Sequence, residues 1–273
     1  MSLPDRRWRP LRPWRAEREW SRLLVLCAIL IAQAAPAAAQ SGWSRAYLEN
    51  WGFYQRNEND SGQWKYEPRL YIPFRLDSGA TFTQRIDVPM IYTNDSGPGN
   101  PSGGWSGGFG DMFIEEILES RDLAPNFRLK ASVRFVFPTG KQSPFGASQY
   151  QWAPAGGFVY ALPDLWRGVT LQPYVRYFSG FSPTHDNVKE KRTLDLYPAA
   201  TFGLGGDWSL LLYPDNPITY NEQNGTWFVP LDLMLARKID STVEAGIGGA
   251  WKLGHPSDPS YRYIIDARLI VHF

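Results

Sequence analysis

Three residues near the C-terminus, His255, Ser257 and Asp258, have the side chains of a hydrolytic site. A histidine can act as the general base for a serine nucleophile, and a third polar group then orients the histidine. Pro256 separates the histidine from the serine, and no asparagine lies between His255 and Phe273 to take the orienting role. A polar loop is therefore the simpler interpretation of these residues.

Charged residues at alternate positions form a second set of side chains that could bind a ligand or pair with one another. Side chains two residues apart on a β-strand point to the same face, so these charges would share one surface of a sheet. They could pair with each other or bind a solute of opposite charge. The set comprises Lys65, Glu67, Arg69, Arg75, Arg85, Asp87, Asp111, Glu115, Arg128, Lys130, Arg134, Arg176, Asp195, Asp232, Glu244, Lys252, Arg262, Asp266 and Arg268.

Cofactor and metal chemistry has little support in the sequence. The glycine-rich stretch from Gly103 to Gly108 is not followed by the Gly-Lys-Ser/Thr of a phosphate-binding loop. Oxygen-rich pairs such as Asn94-Asp95 are typical of solvated loops. The 28 basic and 27 acidic side chains leave no basic excess for nucleic acid. The sequence predicts no cofactor, no metal site and no nucleic-acid partner.

The first 39 residues have the features of a signal peptide. Seven arginines between Arg6 and Arg22 precede an apolar core from Leu23 to Ile31, and a run of small residues ends at Ala39. This order predicts export and cleavage after Ala39, with Gln40 first in the mature chain. The single cysteine, Cys27, lies inside this segment. Disulfides therefore cannot hold the exported chain together, whereas a closed β-barrel can.

Polar and apolar residues alternate over long stretches of the remaining chain. From Phe127 to Phe137 the odd-numbered residues are mostly apolar, whereas the even-numbered ones include Arg128, Lys130 and Arg134. Such stretches run about 12 to 14 residues, longer than the 5 to 6 or so of soluble strands and long enough to cross a bilayer. The pattern predicts an all-β fold, an antiparallel transmembrane β-barrel of the outer-membrane type. The apolar residues at alternate positions of each strand would face lipid. Aromatic residues near the segment ends predict an interfacial girdle of Trp64, Tyr66, Tyr92, Tyr150, Trp152, Trp227, Trp251 and Tyr261.

Long and short connections alternate along the chain, as they do in barrels with external loops and periplasmic turns. The short turn at 77–79 is then periplasmic, which requires a further strand near the N-terminus, with Trp43 to Gln55 as the candidate. The count becomes 12 strands, with Asp215 to Asn224 as one external loop. Residues 40–62 form either this first strand or a short plug, and residues 63–273 form the barrel.

Two features conflict with regular strands. The stretch from Asp111 to Ser120 also fits a helix. Prolines inside the predicted strands each remove a ladder hydrogen bond, so we expect bulges or breaks there. These prolines are Pro68, Pro73, Pro89, Pro154, Pro173, Pro198 and Pro230.

Two short motifs carry a family resemblance. Gly108-Phe109-Gly110-Asp111 opens one strand, and Phe137-Pro138-Thr139-Gly140 ends the next strand and opens the following loop. In this order, and in the rhythm of strands and loops from Trp64 to Phe273, the chain resembles the outer-membrane family named for the MetA pathway of phenol degradation. The resemblance implies an outer-membrane barrel with a transport function, and the family name implies aromatic substrates.

If the apolar parity faces lipid, the charged set lines the lumen. Two interpretations remain open: a cross-strand ion-pair network that partly fills a narrow barrel, or a basic ladder that attracts anions. The ladder would consist of Arg128, Lys130 and Arg134 with neighbouring Arg85. Twelve strands leave little open lumen, which favours a path for small solutes over a wide porin. The candidate substrate-binding residues are Arg85, Asp87, Asp111, Glu115, Arg128, Lys130, Arg134 and Arg176.

The sequence thus predicts a non-enzymatic, porin-like channel or transporter in the outer membrane of a Gram-negative cell. It would pass small solutes, hydrophobic or aromatic ones included. One alternative is a structural or surface-interaction barrel that acts through external loops, with Trp105 and Phe145 as contacts. A remote alternative is a lipase, because twelve-stranded outer-membrane phospholipases use a His-x-Ser pair. Expected partners are membrane lipid, a small-molecule solute and the barrel assembly machinery, which would recognise the terminal strand ending in Phe273.

Overall fold

The computed structural model describes residues 45–140, 142–185, 188–253 and 261–273. The predicted signal peptide and the group of His255, Ser257 and Asp258 lie outside the described residues. In the described part of the chain, no helix has the length and apolarity needed to cross a membrane. The regular structure there consists of β-strands.

The strand segments pair in one antiparallel sheet that closes on itself. Closure joins the first segment to the last, from Tyr47 opposite His272 to Asn57 opposite Tyr261. Several consecutive segments are two halves of one crossing, so that the barrel has 12 strands, and the predicted fold class is confirmed. The segments are β1 (Tyr47–Asn57), β2 (Gly62–Arg75), β3 (Thr81–Asp87), β4 (Met90–Thr93), β5 (Ser106–Phe109), β6 (Met112–Glu119), β7 (Phe127–Phe137), β8 (Gln149–Leu162), β9 (Val169–Leu171), β10 (Tyr174–Pro183), β11 (Arg192–Tyr197), β12 (Ala200–Gly205), β13 (Trp208–Leu212), β14 (Ile218–Asn221), β15 (Thr226–Phe228), β16 (Pro230–Lys238), β17 (Val243–Lys252) and β18 (Tyr261–His272).

The interrupted crossings are neighbours of one another in the barrel. At the break between β3 and β4, the carbonyl of Pro89 accepts a hydrogen bond of 2.8 Å from the N–H of Gly110, which lies in the break between β5 and β6. Likewise, the N–H of Gln172 between β9 and β10 donates to the carbonyl of Ala199 between β11 and β12, at 2.8 Å. The break in one crossing is thus hydrogen-bonded to the break in the next crossing, so the two crossings stay paired and the barrel stays closed.

Proline accounts for some of these breaks. The crossings are interrupted at three of the predicted positions, Pro89, Pro173 and Pro198. A fourth, Pro230, directly follows a break and is the first residue of β16. Pro68, Pro73 and Pro154 instead lie inside continuous strands, and the prediction of a break is wrong there. Pro68 stays in register opposite Asn50, and Pro154 opposite Val133. A single missing N–H does not interrupt a ladder whose neighbouring hydrogen bonds hold the register.

The N-terminal segment of the barrel is a strand and not a plug. The predicted first strand, Trp43 to Gln55, corresponds to β1 at Tyr47–Asn57, which pairs with both β2 and β18. The strand β1 is therefore part of the barrel. Trp43 itself lies outside the described residues. The helix alternative for Asp111 to Ser120 is also wrong, because β6 occupies Met112–Glu119 and pairs with β3 and β7.

Exposure follows residue parity along the strands. In β7, Leu129 and Phe135 are 49% and 43% exposed, whereas the side chain of Arg134 is 12% exposed. Most residues of the predicted aromatic girdle are exposed as well, from Tyr150 at 40% to Trp64 at 55%. The apolar residues at alternate positions of these strands therefore form the outer surface.

Tyr261 departs from the predicted girdle. The register between β1 and β18 shifts at Arg56 and Asn57. Beyond this shift the Tyr261 ring packs against the buried ring of Phe228, with 4.8 Å between the ring centroids. It also contacts an internal hydrophobic cluster that includes Trp51. The expectation that Tyr261 faces lipid is wrong, because parity reverses wherever one strand gains a residue.

Candidate functional site in the barrel lumen

Glu115 on β6 is the centre of a buried ion-pair cluster. Its Oε2 accepts a hydrogen bond from Arg134 Nη2 on β7 at 2.7 Å. Its Oε1 accepts hydrogen bonds from the Ser132 hydroxyl at 2.7 Å and from Arg176 on β10. Arg85 Nη1 lies 3.9 Å from the same carboxylate. One carboxylate thus joins basic groups from three other strands.

A second cluster surrounds Arg69 on β2 and continues the first around the lumen. The guanidinium of Arg69 lies 2.7 Å from Glu67 and 3.3 Å from Asp87 on β3. Asp87 is also bonded by Arg85 at 2.5 Å, which links this cluster to Glu115. Arg69 and Glu115 are only 3% and 2% exposed. The level of the lumen that these side chains occupy is therefore filled rather than open.

An inward segment, Tyr213–Pro217 between β13 and β14, projects into the lumen at this level. Asp215 Oδ1 lies 2.6 Å from Arg69 Nη2, although β13 and β2 are far from being neighbours in the barrel. The N–H groups of Asp215 and Asn216 donate to Asp232 Oδ2 on β16 at 3.1 and 2.7 Å. These contacts tie the segment to both walls.

The inward segment corrects the predicted external loop from Asp215 to Asn224. Ile218–Asn221 forms β14, so the connection to β15 is much shorter than predicted. Pro214 and Pro217 lack the N–H groups that would continue the ladder. The sequence pattern hides the contact with Arg69, because the two residues are distant along the chain and on non-neighbouring strands.

Aromatic rings line the same level of the lumen. Trp51 and Phe53 on β1 are 1% and 3% exposed. The guanidinium of Arg69 lies 4.5 Å from the Trp51 ring centroid, and Trp51 Nε1–H donates to Glu49 at 2.8 Å. The sequence analysis missed these rings because it predicted that the apolar face of every strand contacts lipid. Glu49, on the same face of β1, was the available signal.

The structure brings together most, but not all, of the predicted lumen residues. Arg85, Asp87, Glu115, Arg134 and Arg176 lie in the connected clusters described above. Of the other three, Lys130 lines the same small cavity as Glu115 and Arg176, whereas Asp111 and Arg128 lie apart from the clusters.

The three remaining residues have different surroundings. Lys130 Nζ lies 5.8 Å from the ring centroid of Tyr174 on the lumen side. Arg128 lies at the rim with short turns, 2.6 Å from Glu119. Asp111 accepts hydrogen bonds from two loop N–H groups, at residues 140 and 147, at 3.1 and 2.6 Å, and so anchors the loop between β7 and β8. A basic ladder that includes Arg128 is therefore not continuous, since Arg128 is paired at the rim.

Arg262 was also assigned to the lumen, but it lies at the opposite rim. Its Nη1 is 2.9 Å from Asp60, and its Nε is 3.6 Å from Glu58. Lys252 Nζ donates to Glu58 Oε1 at 2.6 Å, and this hydrogen bond lowers the pKa of the Glu58 carboxyl below its usual value. Arg262 therefore joins the connection between β1 and β2 to β18 instead of lining the path.

A cavity of about 890 Å³ opens at the end of the barrel that carries the long loops. Its wall includes Gln149, His185 and Lys191. The Lys191 ammonium lies 4.0 Å from the ring centroid of Phe178, which is two residues from Arg176 on β10. One wall residue of the cavity thus lies beside β10, the strand that carries Arg176.

The two aromatic residues proposed as external contacts differ in exposure. Trp105 is 47% exposed and stacks on Tyr92 with 5.0 Å between ring centroids. Phe145 is 2% exposed and packs against Gly108. Phe145 therefore cannot serve as a surface contact, since loop packing covers it.

We expect opposite consequences for neighbouring substitutions on β7. Val133→Arg places a charge on the lipid face and should reduce the free energy of unfolding in lipid by about 2 to 4 kcal/mol. Arg134→Gln should leave the barrel folded, because Glu115 keeps Arg176 and Ser132 as partners, and should mainly change ion passage. Urea unfolding in vesicles measures the first effect. If Val133→Arg folds normally and Arg134→Gln does not, the assigned facing is inverted.

Comparisons with known proteins agree with the fold described here. No family model and no curated protein matches the chain. The chain is similar to the crystal structure of an outer membrane channel from Pseudomonas putida F1, with a TM-score of 0.65 and 14% identity over 85% of this chain and 96% of that one. It is also similar to the β domain of the Bordetella autotransporter BrkA, with a TM-score of 0.52 and 11% identity over 84% and 99% of the two chains.

These similarities, at such low identity, establish the fold alone. The chain has the fold of outer-membrane β-barrels, and its lumen at mid-height is narrow and filled by charged and aromatic side chains. None of the comparisons supports the narrower resemblance to the family named for the MetA pathway of phenol degradation.

Proposed function

We propose that this barrel is a passive outer-membrane channel for small solutes. The observation that carries the proposal is the cavity of about 890 Å³ that opens at the long-loop end of the barrel. The ion-paired level of the lumen lies further along the strands. Arg69 and Glu115 are almost fully buried there. A solute must therefore be small, and side chains must move aside as it passes. A buried nucleophile is not needed for this role, so the proposal treats the protein as non-enzymatic.

Aromatic and hydrophobic compounds are the solute class that we propose. The rings of Tyr174 and Tyr197 stack inside the barrel at 4.2 Å, and the guanidinium of Arg134 lies 3.8 Å from the Phe113 ring centroid. Flat rings and guanidinium planes offer stacking and cation–π surfaces to a flat solute. This chemistry agrees with the aromatic substrates implied by the family resemblance, which remains part of the proposal.

Solute flux into proteoliposomes tests the proposed function. We expect aromatic compounds to enter faster than aliphatic compounds of matched size, and protein-free liposomes provide the control. Equal rates for the two classes would remove the aromatic preference. If the barrel gives neither flux nor conductance in planar bilayers, the surface-interaction alternative is favoured. Lipid hydrolysis that disappears in Ser257→Ala would instead support the lipase alternative.

Export and assembly complete the proposal. Residues 1–39 would be removed as a signal peptide on the way to the outer membrane. Phe273 is 55% exposed, and its N–H donates to the carbonyl of Ala46 at 2.9 Å, where the barrel closes. A terminal aromatic residue in this position suits recognition by the barrel assembly machinery.

A further inference from the structure

Two buried carboxylates, on β16 and β18, have oxygens without a hydrogen-bond partner in the described part of the chain. Asp266 on β18 is 1% exposed, and neither of its oxygens has a hydrogen-bond partner. Asp232 on β16 is 0% exposed, and its Oδ1 also has none. Asp232 Oδ2 is already occupied by two N–H groups of the inward segment. Three buried carboxylate oxygens are therefore left without a donor.

The nearby basic groups are engaged elsewhere. Arg69 is shared among Glu67, Asp87 and Asp215. Arg268, two residues from Asp266 on the same face, is paired with Glu244 through its Nη2. Within the described ranges its Nε has no hydrogen-bond partner, and it forms no ion pair with Asp266. Among the described residues, neither Asp232 nor Asp266 forms an ion pair. Burying an ionised carboxylate without a partner is costly, so a positive charge is missing at this place.

The surroundings of Asp266 bring its carboxylate close to the backbone of β17 and include another oxygen. β17 separates β16 from β18 and has only Gly248 and Ala250 facing this part of the lumen. A Cβ atom at Gly248 would come within 2.8 Å of Asp266 Oδ1, so the carboxylate lies directly against the glycine backbone. The buried hydroxyl of Tyr261 on β18 also has no partner.

We propose that Asp232 and Asp266 bind a monovalent cation inside the barrel, with the Tyr261 hydroxyl as a further oxygen ligand. Among the described residues, no three acidic, histidine or cysteine side chains converge as a metal site requires. The site therefore suits an alkali cation better than calcium or zinc, which take more anionic ligands. The cation neutralises the acidic wall that faces the arginine clusters. The proposal rests on the unpaired carboxylate oxygens and not on the identity of the solute.

Thallium, a heavy substitute for potassium, tests occupancy directly. Crystals of the full barrel soaked in a thallium salt should show an anomalous peak between the two aspartates, and Asp266→Asn crystals should lack it. In parallel, exchanging potassium for the bulky N-methylglucamine cation should lower the thermal midpoint of the wild-type barrel by about 3 °C. Asp164→Asn, which removes an exposed carboxylate from the turn after β8, should retain both the peak and the shift.

The outcomes separate a bound cation from a protonated carboxyl. If Asp266 carries a proton, then no thallium peak appears, and the wild-type barrel is equally stable in both cations, which overturns the proposal. Should Asp266→Asn fail to fold, Tyr261→Phe offers a milder change, and a several-fold loss of thallium occupancy is then expected. A thallium site that is unaffected by Tyr261→Phe and Asp266→Asn alike would also contradict the assignment.

Discussion

Glu115→Gln is expected to lower the free energy of unfolding of the barrel by about 3 to 5 kcal/mol. The glutamine keeps the shape of the side chain but removes the charge that Arg134, Arg176 and Arg85 share. All three arginines would remain in a poorly hydrated lumen with one carboxylate fewer. Urea unfolding from lipid vesicles, followed by tryptophan fluorescence, measures the loss.

Glu119→Gln is the matched control on the same strand. Glu119 pairs with Arg128 at the solvent-exposed rim, so the same chemical change should cost about 1 kcal/mol or less there. If both variants lose similar stability, burial does not determine how much the ion pairs of the cluster contribute to the free energy of unfolding. A Glu115→Gln barrel as stable as the wild type would mean that water reaches the three arginines.

Asp215→Ala is expected to raise single-channel conductance severalfold. The substitution removes the bridge of 2.6 Å from the inward segment to Arg69 on the far wall. Arg69 keeps Glu67 and Asp87 as partners, so the wall itself should stay folded. Released from one side, the inward segment can move back towards β13 and widen the lumen. Planar bilayer recordings in potassium chloride measure the change.

Asp164→Ala controls for the loss of one carboxylate, because this exposed turn residue lies away from the lumen. Its conductance should equal that of the wild type. Asp215→Ala barrels that conduct no better than the wild type would show that the inward segment does not limit passage. The flux preference for aromatic solutes is a separate measurement and would be unaffected by that result.

Local patterns were sufficient to predict the wall of the barrel. Alternation in β7 correctly separated exposed Leu129 and Phe135 from the half-buried Arg134, because parity is a property of the strand alone. Alternating long and short connections predicted 12 strands, which the closed sheet confirms. The prediction failed where an extra residue reverses the facing of a strand, as at Tyr261. It also failed where a proline was expected to break a strand and did not, as at Pro68.

The interior required information that the sequence pattern does not carry. Trp51 and Phe53 form an apolar face, yet this face points into the lumen, where it packs against residues of β16, β17 and β18. Only closure of β1 on β18 places them there. The pairing of Arg69 with Asp215 is of the same kind, since no local pattern relates residues that are 146 positions apart.

The sequence by itself determined that this chain forms a barrel, how many strands it has and which parity of most strands faces outward. These properties depend on residue period, strand length and connection length, which are local. Only the tertiary structure decided which charges pair, which segment enters the lumen and which carboxylates remain without partners. Those properties depend on distances across the closed barrel, and closure brings together strands that are remote along the chain.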